Sequence, residues 1–299
     1  MHLAAFLTIG LIYLIVSTSS QAQPEPAVLV GAGDIARCSE SNMAKETAKL
    51  LDRIPGTVFT AGDNAYPSGT LRDYAECYHA SWGRHRARTR PTLGNHDYKT
   101  PDAAPYFQYF SDTAGPAGKG YYSYKLGAWH IVSLNSNLAA KSWGPAQEKW
   151  LRGNLGAIST ECVLAYWHHP RFSSVTGGRS GGNVYLSSLF QVLYKHGVSV
   201  LLSGHDHIYE RFAPQDPDGA LAANGIRQFV VGTGGDSFYK IRSVTRNSEV
   251  RSENSYGVLK LTLRAKSYDW EFVPIAGHTF RDTGTSSCSA RISSRSGKM

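Results

Sequence analysis

The sequence predicts an α/β domain that ends in antiparallel strands, and three observations support this prediction. Apolar runs typical of strands alternate with segments of helical spacing from Ala27 onward. Several of these strands stop at loops that contain glycine and a polar residue, at the end where open α/β sheets place their sites. Near the C-terminus, two alternating runs are typical of a hairpin. Since no internal repeat or Pro/Ser-rich linker occurs, the simplest interpretation is one domain from about Pro26.

The first half of the chain is predicted to alternate three strands with two helices. Ala27–Val30 and Thr57–Thr60 are strand-like runs that stop at Gly-Asp loops. Thr89–Leu93 is a short strand before a Gly-Asn-His-Asp loop. Ser41–Leu51 and Arg72–Trp82 have the spacing of apolar residues that predicts helices.

The second half is predicted to begin and end with hairpins. Tyr121–Leu126 and Ala128–Leu134 flank Gly127, which marks the first hairpin turn. The other predicted elements are helix Pro145–Leu155, strand Glu161–Trp167, helix Tyr185–Lys195, strands Val198–Leu202 and Gln228–Val231, and the hairpin of Val258–Leu263 with Tyr268–Val273.

The composition limits the class of protein. The 299 residues are 41% hydrophobic and 11% aromatic, which is enough for a large core and excludes a disordered chain. Thirty glycines without a G-X-Y period exclude collagen. The net charge of +8 indicates an anionic partner, but it does not choose among nucleic acid, anionic lipid and a phosphorylated small molecule.

The N-terminal segment has the pattern of a secretory signal. Leu3–Val16 is apolar and uncharged but short for a membrane span, and Ser20 and Ala22 are small residues at the positions a signal peptidase reads. We predict a signal peptide at 1–22, a main domain at 26–288 and a flexible tail at 289–299, with an uncleaved anchor as the alternative. The mature chain would be secreted or periplasmic, with no stable membrane anchor.

The four cysteines indicate two disulfides, because an even number in an exported chain favours pairing. Three pairings are possible, and we predict Cys38–Cys77 and Cys162–Cys288. Four separate buried thiols are the alternative. No pair has C-x-x-C spacing, which argues against a cysteine-based zinc site.

Five strand ends carry residue types that bind metals. The loops, in chain order, contain Gly33-Asp34, Gly62-Asp63-Asn64-Ala65-Tyr66, Gly94-Asn95-His96-Asp97, His168-His169 and Gly204-His205-Asp206-His207. Oxygen and nitrogen donors without sulfur suit iron, zinc or manganese. Seven donors are too many for one tetrahedral site and fit two metals that share one carboxylate. Each glycine would let the backbone turn sharply before the ligand.

These motifs resemble those of the calcineurin-like metallophosphoesterases, and Tyr66 makes the chain similar to the purple acid phosphatases. The resemblance runs from about Val28 to Gly235. It implies a two-sheet β-sandwich flanked by helices, in four α/β/β/α layers. It also implies the metal ligands, which are Asp34, Tyr66 and His207 for the first metal, Asn95, His168 and His205 for the second, and Asp63 as a bridge.

The same resemblance implies an activity for the main domain. The chain would hydrolyse phosphomonoesters, as acid phosphatases do, with a metal-bound hydroxide that attacks phosphorus in line. His96 would not bind a metal, but would protonate the leaving oxygen or stabilise the transition state. A phenolate at Tyr66 indicates Fe³⁺ in the first site, with Zn²⁺, Mn²⁺ or Fe²⁺ in the second. Ala36 stands where most family members have a ligating histidine, and this departure fits the use of Tyr66.

Three residues are weaker candidates for substrate contact. His169 would touch the substrate or support a ligand, and Arg171 would clamp phosphate or stay solvated in its loop. Tyr209 would line the pocket or pack in the core. The basic run at 84–90 fits a solvated connection better than nucleic-acid binding, because no nucleic-acid motif accompanies it.

Two other functions stay open. A phosphodiesterase or nucleotide-cleaving enzyme would use the same metal site and differ in the surrounding pocket. A non-catalytic metal-binding or adhesion protein on this scaffold would be expected to have lost a ligand, whereas all seven positions are filled here. The expected partner is a phosphorylated small molecule, and the sequence does not indicate the oligomeric state.

Overall fold

The structure is a computed structural model that describes residues 25–139, 144–160, 162–175, 183–241 and 243–289. The predicted signal peptide, 1–22, lies outside these ranges, as does the predicted tail apart from Ser289. In the described part of the chain, no helix combines the length and the apolar character that a membrane crossing requires.

The elements follow the predicted alternation, with several short strands added. In chain order, the strands of the described residues are β1 Ala27–Ala32, β2 Ala36–Arg37, β3 Thr57–Thr60, β4 Ala65–Tyr66, β5 Thr89–Arg90, β6 Tyr122–Leu126, β7 Trp129–Ser133, β8 Val163–Tyr166, β9 Val200–Ser203, β10 Tyr209–Phe212, β11 Arg227–Val231, β12 Ser248–Ser252, β13 Gly257–Leu263, β14 Ser267–Pro274 and β15 Thr283–Ser287. The α-helices are α1 Ala44–Arg53, α2 Ala104–Phe110, α3 Ser136–Ala139, α4 Gly144–Ala157 and α5 Ser187–Lys195.

Two mixed sheets contain most of these strands. The first has the order β15-β14-β13-β1-β3-β5, in which β1, β3 and β5 are parallel and the last three strands of the chain are antiparallel. The second has the order β12-β10-β11-β9-β8-β7-β6, with β7, β8, β9 and β11 parallel. The carboxyl ends of the parallel strands of both sheets carry the loops with the predicted ligands.

The two sheets pack against each other and are flanked by helices. Ile131 and Leu202 lie in the core cluster that also contains Leu29 of the first sheet. Their neighbours Val132 and Leu201 lie in a second cluster with the apolar sides of α4 and α5. Such alternation along a strand shows that both faces of the second sheet are buried. Helix α1 packs into the first cluster, and the predicted fold class is therefore confirmed.

Two disulfides link segments that are distant in the sequence, and both predicted pairs are confirmed. Cys38–Cys77 joins the residue after β2 to the segment that follows β4. Cys162–Cys288 joins the residue before β8 to the residue after β15, across a sequence separation of 126 residues. The described residues contain no free cysteine.

The basic run at 84–90 leads from a helix into β5, and Arg84 and Arg86 are exposed as predicted for a solvated connection, whereas Arg88 is half-buried. Trp82–Arg88 form a 3-10 helix that packs beside α1. The Arg88 guanidinium donates to the carbonyls of Leu51 in the last turn of α1 and of Ile54 and Gly56 just beyond it. Arg84 donates two hydrogen bonds to Asp52. These two arginines therefore hydrogen-bond to the C-terminal end of α1.

Candidate active site

The first group of donors joins loops from both sheets. Asp34 follows β1, Tyr66 ends β4, and His207 follows β9. The Tyr66 hydroxyl oxygen lies 3.0 Å from Asp34 Oδ1 and 3.1 Å from His207 Nε2. His207 Nε2 is 3.3 Å from the same Asp34 oxygen. All three side chains are buried, so the predicted first group is brought together.

The second group lies beside the first. Asn95 follows β5, His168 follows β8, and His205 follows β9. Asn95 Oδ1 is 3.0 Å from His168 Nε2 and 2.9 Å from His205 Nδ1, and these two ring nitrogens are 3.3 Å apart. Three strand ends therefore place three donor atoms around one point.

Asp63 stands between the two groups. Its Oδ2 is 3.1 Å from the Tyr66 hydroxyl oxygen in the first group and 3.4 Å from His168 Nε2 in the second. Its Oδ1 accepts a hydrogen bond of 2.7 Å from the backbone N–H of His96. Asp63 therefore lies between the two groups, where a bridging carboxylate is predicted.

The backbone is held in unusual conformations at this edge. Asp34, Asp63 and His205 have φ values of 60°, 50° and 67°, in the left-handed region that costs non-glycine residues energy. The glycines before the ligands were predicted to allow sharp turns of the backbone. Gly94 and Gly204 correct this prediction, because they are needed instead to let the backbone lie close to the aspartate side chains. A Cβ there would lie 2.1 Å from Asp63 Oδ1 and 2.6 Å from Asp34 Oδ2, respectively.

Burial and neighbouring charges shift the pKa values of these groups. Burial lowers the pKa of His168, but the facing Asp63 carboxylate outweighs burial and raises that pKa to about 9. Burial, aided by His168, lowers the pKa of His205 to about 4. Burial together with Asp34 and Asp63 raises the pKa of Tyr66 well above its ordinary value. The centre thus favours one positive charge beside Asp63 and keeps Tyr66 a neutral phenol in the absence of a stronger cation.

His96 lies at the open side of the centre and is 22% exposed. The Pro67 carbonyl lies 2.6 Å from its Nδ1, and the Lys99 ammonium lies 2.9 Å from the same nitrogen, so two neighbours hold the ring in place. The Nε2 atom lies 4.0 Å from Asp63 Oδ2. His96 is therefore oriented toward the donors without lying within bonding distance of them.

His169 lies beside the second group of donors. One ring nitrogen lies within 4.8 Å of donor nitrogens of His168 and His205, and its Nδ1 is 2.9 Å from Ser136 Oγ. Burial and the two neighbouring histidines lower the pKa of His169 well below its ordinary value, so the ring is neutral. The sequence did not indicate Ser136, whose hydroxyl oxygen also accepts a hydrogen bond from the backbone N–H of His169.

Two predicted substrate contacts are not brought to the site. Tyr209 is 0% exposed, and its hydroxyl donates to Asp282 Oδ2 at 2.6 Å, so it has no surface to offer a substrate. Arg171 is buried against the Phe172 ring and donates to the Pro217 carbonyl. We correct both predictions, because the side chains are committed to the core and to a neighbouring loop.

Asp97 is a buried residue for which no role was predicted from the sequence. Its Oδ2 accepts hydrogen bonds from the Gly94 N–H at 2.8 Å and the Asn64 amide at 3.0 Å. Its Oδ1 accepts from the Tyr74 hydroxyl at 2.6 Å. Asp97 thus links the loop of Asp63 to the loop of Asn95. Its place directly after the Gly-Asn-His sequence was a signal that could have identified it.

Comparison with known proteins finds purple acid phosphatases among the sequence relatives. Purple acid phosphatase 15 of Arabidopsis thaliana is 24% identical to this chain over 204 residues, which cover 57% of this chain and 38% of that protein. The chain therefore spans well under half the length of this relative.

Two solved structures share the fold. The purple acid phosphatase from yellow lupin seeds superposes with a TM-score of 0.75 at 19% identity, covering 89% of this chain and 54% of that one. GAP50, described as the anchor in the inner membrane complex of Plasmodium, superposes with a TM-score of 0.67 at 14% identity, covering 89% of each chain. At these identities the likeness establishes the fold alone.

The family follows from the sequence model. The model described as calcineurin-like phosphoesterase matches residues 21–209, which is more than half of the chain. This range includes every residue of the two donor groups and Asp63. The chain therefore belongs to the calcineurin-like phosphoesterase family.

Proposed function

We propose that this chain is an exported, dimetal-dependent phosphatase that hydrolyses phosphomonoesters. The observation that carries the proposal is the convergence of two donor groups on one carboxylate oxygen, Asp63 Oδ2. Export is supported by the two disulfides. Residues 26–288 would form the catalytic domain, after a signal peptide at 1–22.

The donor atoms fit a pair of metal ions, because each group gathers lone pairs around one point that a proton holds together in the metal-free protein and a cation could hold instead. His168 Nδ1 donates to the Ala61 carbonyl, so a neutral His168 presents a lone pair at Nε2 toward Asn95 Oδ1 and Asp63 Oδ2. In the first group, the single Tyr66 proton faces three acceptors at 3.0–3.1 Å. A shared cation in each group would satisfy these lone pairs.

The metals would be held as the motifs predict. Asp34, Tyr66 and His207 would hold the first, Asn95, His168 and His205 the second, and Asp63 both. Two such ions supply a water of lowered pKa and positive charge for phosphoryl oxygens. Since the buried phenol resists ionisation, the strongest Lewis acid among the candidate ions would hold it best as a phenolate, so we propose Fe³⁺ in the first site and Zn²⁺, Mn²⁺ or Fe²⁺ in the second.

The open side of the centre would handle the leaving group. His96, fixed by the Pro67 carbonyl, would direct Nε2 toward the ester and donate a proton to the departing oxygen. Ser136 would donate to Nδ1 of the neutral His169, which places the His169 N–H at Nε2. That N–H would bind a phosphoryl oxygen.

A monoester is favoured by the charge of the donors. Asp34, Asp63 and a Tyr66 phenolate would bring three negative charges, while Asn95 and the histidines are neutral donors. Two metal ions carry more positive charge than this, so the loaded centre keeps an excess that a dianionic monoester neutralises better than a monoanionic diester.

Comparing p-nitrophenyl phosphate with bis-p-nitrophenyl phosphate tests the substrate class. We expect kcat/KM for the monoester to exceed that for the diester by about tenfold or more. The monoester carries one more negative charge than the diester, and this charge is attracted to the same positively charged centre. Activity on the diester alone would support the phosphodiesterase or nucleotide-cleaving alternative and contradict our proposal.

A non-catalytic scaffold is the candidate function of another class. The likeness to GAP50, described as an anchor, favours it at the level of the fold. The seven donors oppose it, because every one of them is present. Five are buried, and Asn95 and His205 are partly exposed. A chain that binds two metals and hydrolyses neither ester would establish this alternative.

A further inference from the structure

Arg37 lies directly over the ring of Tyr66. The two residues are register partners in the parallel pair β2–β4, which consists of two residue pairs. The Arg37 guanidinium carbon is 4.7 Å from the centroid of the Tyr66 ring. A cation at this distance is attracted to the face of an aromatic ring.

Asp236 fixes the guanidinium in that position. Arg37 Nε donates to Asp236 Oδ1 at 3.0 Å and Nη2 donates to Oδ2 at 2.7 Å, which is the two-point geometry that orients a guanidinium plane. Asp236 is only 6% exposed, and its backbone N–H donates to the carbonyl of Asp34. The same residue therefore holds Arg37 and the loop of a predicted metal ligand.

The chain around Arg37 is fastened on its other side as well. Cys38 is joined to Cys77, so β2 is anchored next to the arginine. The Arg37 pKa is raised, chiefly by its hydrogen bonds with Asp236, so its charge is permanent. The Tyr66 hydroxyl lies 3.0 Å from Asp34 Oδ1 and 3.1 Å from Asp63 Oδ2, so the contact of Arg37 with the ring and these two carboxylates together fix where the oxygen points.

We propose that Arg37 is a positioning residue for Tyr66, which holds the ring through this contact and keeps its oxygen aimed at the first site. The proposal rests on the proposed function only in that Tyr66 is a metal ligand. Arg37 acts through Tyr66 and Asp236 and needs no contact with substrate.

The test is a double-mutant cycle of Arg37→Gln and Tyr66→Phe, with Zn²⁺ as the probe. Metal-free protein competes with a chromophoric chelator, which measures both zinc sites without any turnover. We expect Arg37→Gln to weaken one of the two sites by about fivefold, as loss of a partly exposed cation–π contact would. In the Tyr66→Phe background the same change should weaken zinc binding by less than about twofold, because no ligand oxygen is left for Arg37 to position.

Two further measurements complete the experiment. The zinc-loaded wild type should show near-ultraviolet tyrosinate absorption that Arg37→Gln reduces and Tyr66→Phe abolishes. Arg37→Lys keeps the charge but not the planar two-point geometry, so it should lie between wild type and Arg37→Gln. Arg152→Gln, which breaks an exposed arginine–glutamate pair on α4, is the matched control and should change neither readout.

Equal weakening by Arg37→Gln in both backgrounds would overturn the proposal, because Arg37 would then only brace Asp236 and Asp34. Unchanged zinc affinity and tyrosinate absorption in Arg37→Gln would overturn it too. A chain that binds zinc as expected but hydrolyses no ester would refute the proposed phosphatase and leave the role of Arg37 supported. A wild type that binds no zinc would contradict both.

Discussion

The Asp63→Asn variant is expected to lose at least about 10³-fold in kcat on p-nitrophenyl phosphate. The amide is nearly the same size, and its oxygen can still accept from the His96 N–H, so the loop should keep its shape. It cannot supply the negative charge that faces both donor groups at 3.1 and 3.4 Å. We therefore expect the variant to retain fewer metal ions per chain than the wild type, as measured by elemental analysis.

The matched control for this variant is Asp112→Asn. Asp112 is an exposed carboxylate in the turn after α2, so the same chemical change should leave both kcat and metal content unaltered. Near-ultraviolet circular dichroism would show that both variants keep the native packing. If Asp63→Asn retained more than about a tenth of wild-type kcat with full metal content, Asp63 would not bridge the two sites.

The His96→Ala variant is expected to lose about 10²-fold in kcat while it keeps its metals. The bond from residue 96 to Asp63 Oδ1 comes from the backbone and survives the substitution. The side chain, which is oriented by the Pro67 carbonyl, would be absent when the leaving oxygen needs a proton. Steady-state kinetics with elemental analysis of the same preparation measures both quantities.

His278→Ala is the control for a histidine outside the centre. His278 lies in the loop between β14 and β15, and its removal should leave kcat unchanged. A loss of metal ions in His96→Ala would show that His96 maintains the site and does not act as an acid. A kcat within about threefold of wild type would exclude His96 from proton transfer.

The parts of the molecule that follow a local pattern were predictable. A strand followed by a loop with glycine and a polar residue identified the edge at which Asp34, Asp63, Asn95, His168 and His205 meet. The two sheets and the flanking helices required the resemblance, because alternation of strands and helices does not by itself divide strands between sheets. The cysteine pairs were chosen among three combinations, and nothing local distinguished them.

The unpredicted parts depend on contacts between distant residues. Arg37 and Asp236 are 199 positions apart, so no spacing indicates their pairing. Tyr209 follows a ligand in sequence, yet strand alternation turns its ring into the core toward Asp282. Arg88 belongs to a run that looks solvated, but its guanidinium is captured by the carbonyls at the end of α1. In each case, tertiary contacts decide what the side chain does.

The net charge of +8 also changes in meaning once the fold is known. Arg84, Arg88 and Arg37 are engaged with a carboxylate, a helix end and a tyrosine ring, respectively. Lys and Arg composition is therefore a poor guide to the anion that this chain binds. The positive charge that matters for a phosphate ester would come from metal ions held by neutral and acidic donors.

Metal content of the purified wild-type protein, measured together with its visible spectrum, tests the central claim most directly. We predict two metal ions per chain, one of them iron, with a charge-transfer band from tyrosinate that disappears in Tyr66→Phe. Two colourless zinc or manganese ions would refute iron in the first site but keep the dimetal centre. A chain that folds and holds no more than one metal ion, even after incubation with iron and zinc, would contradict the dimetal mechanism.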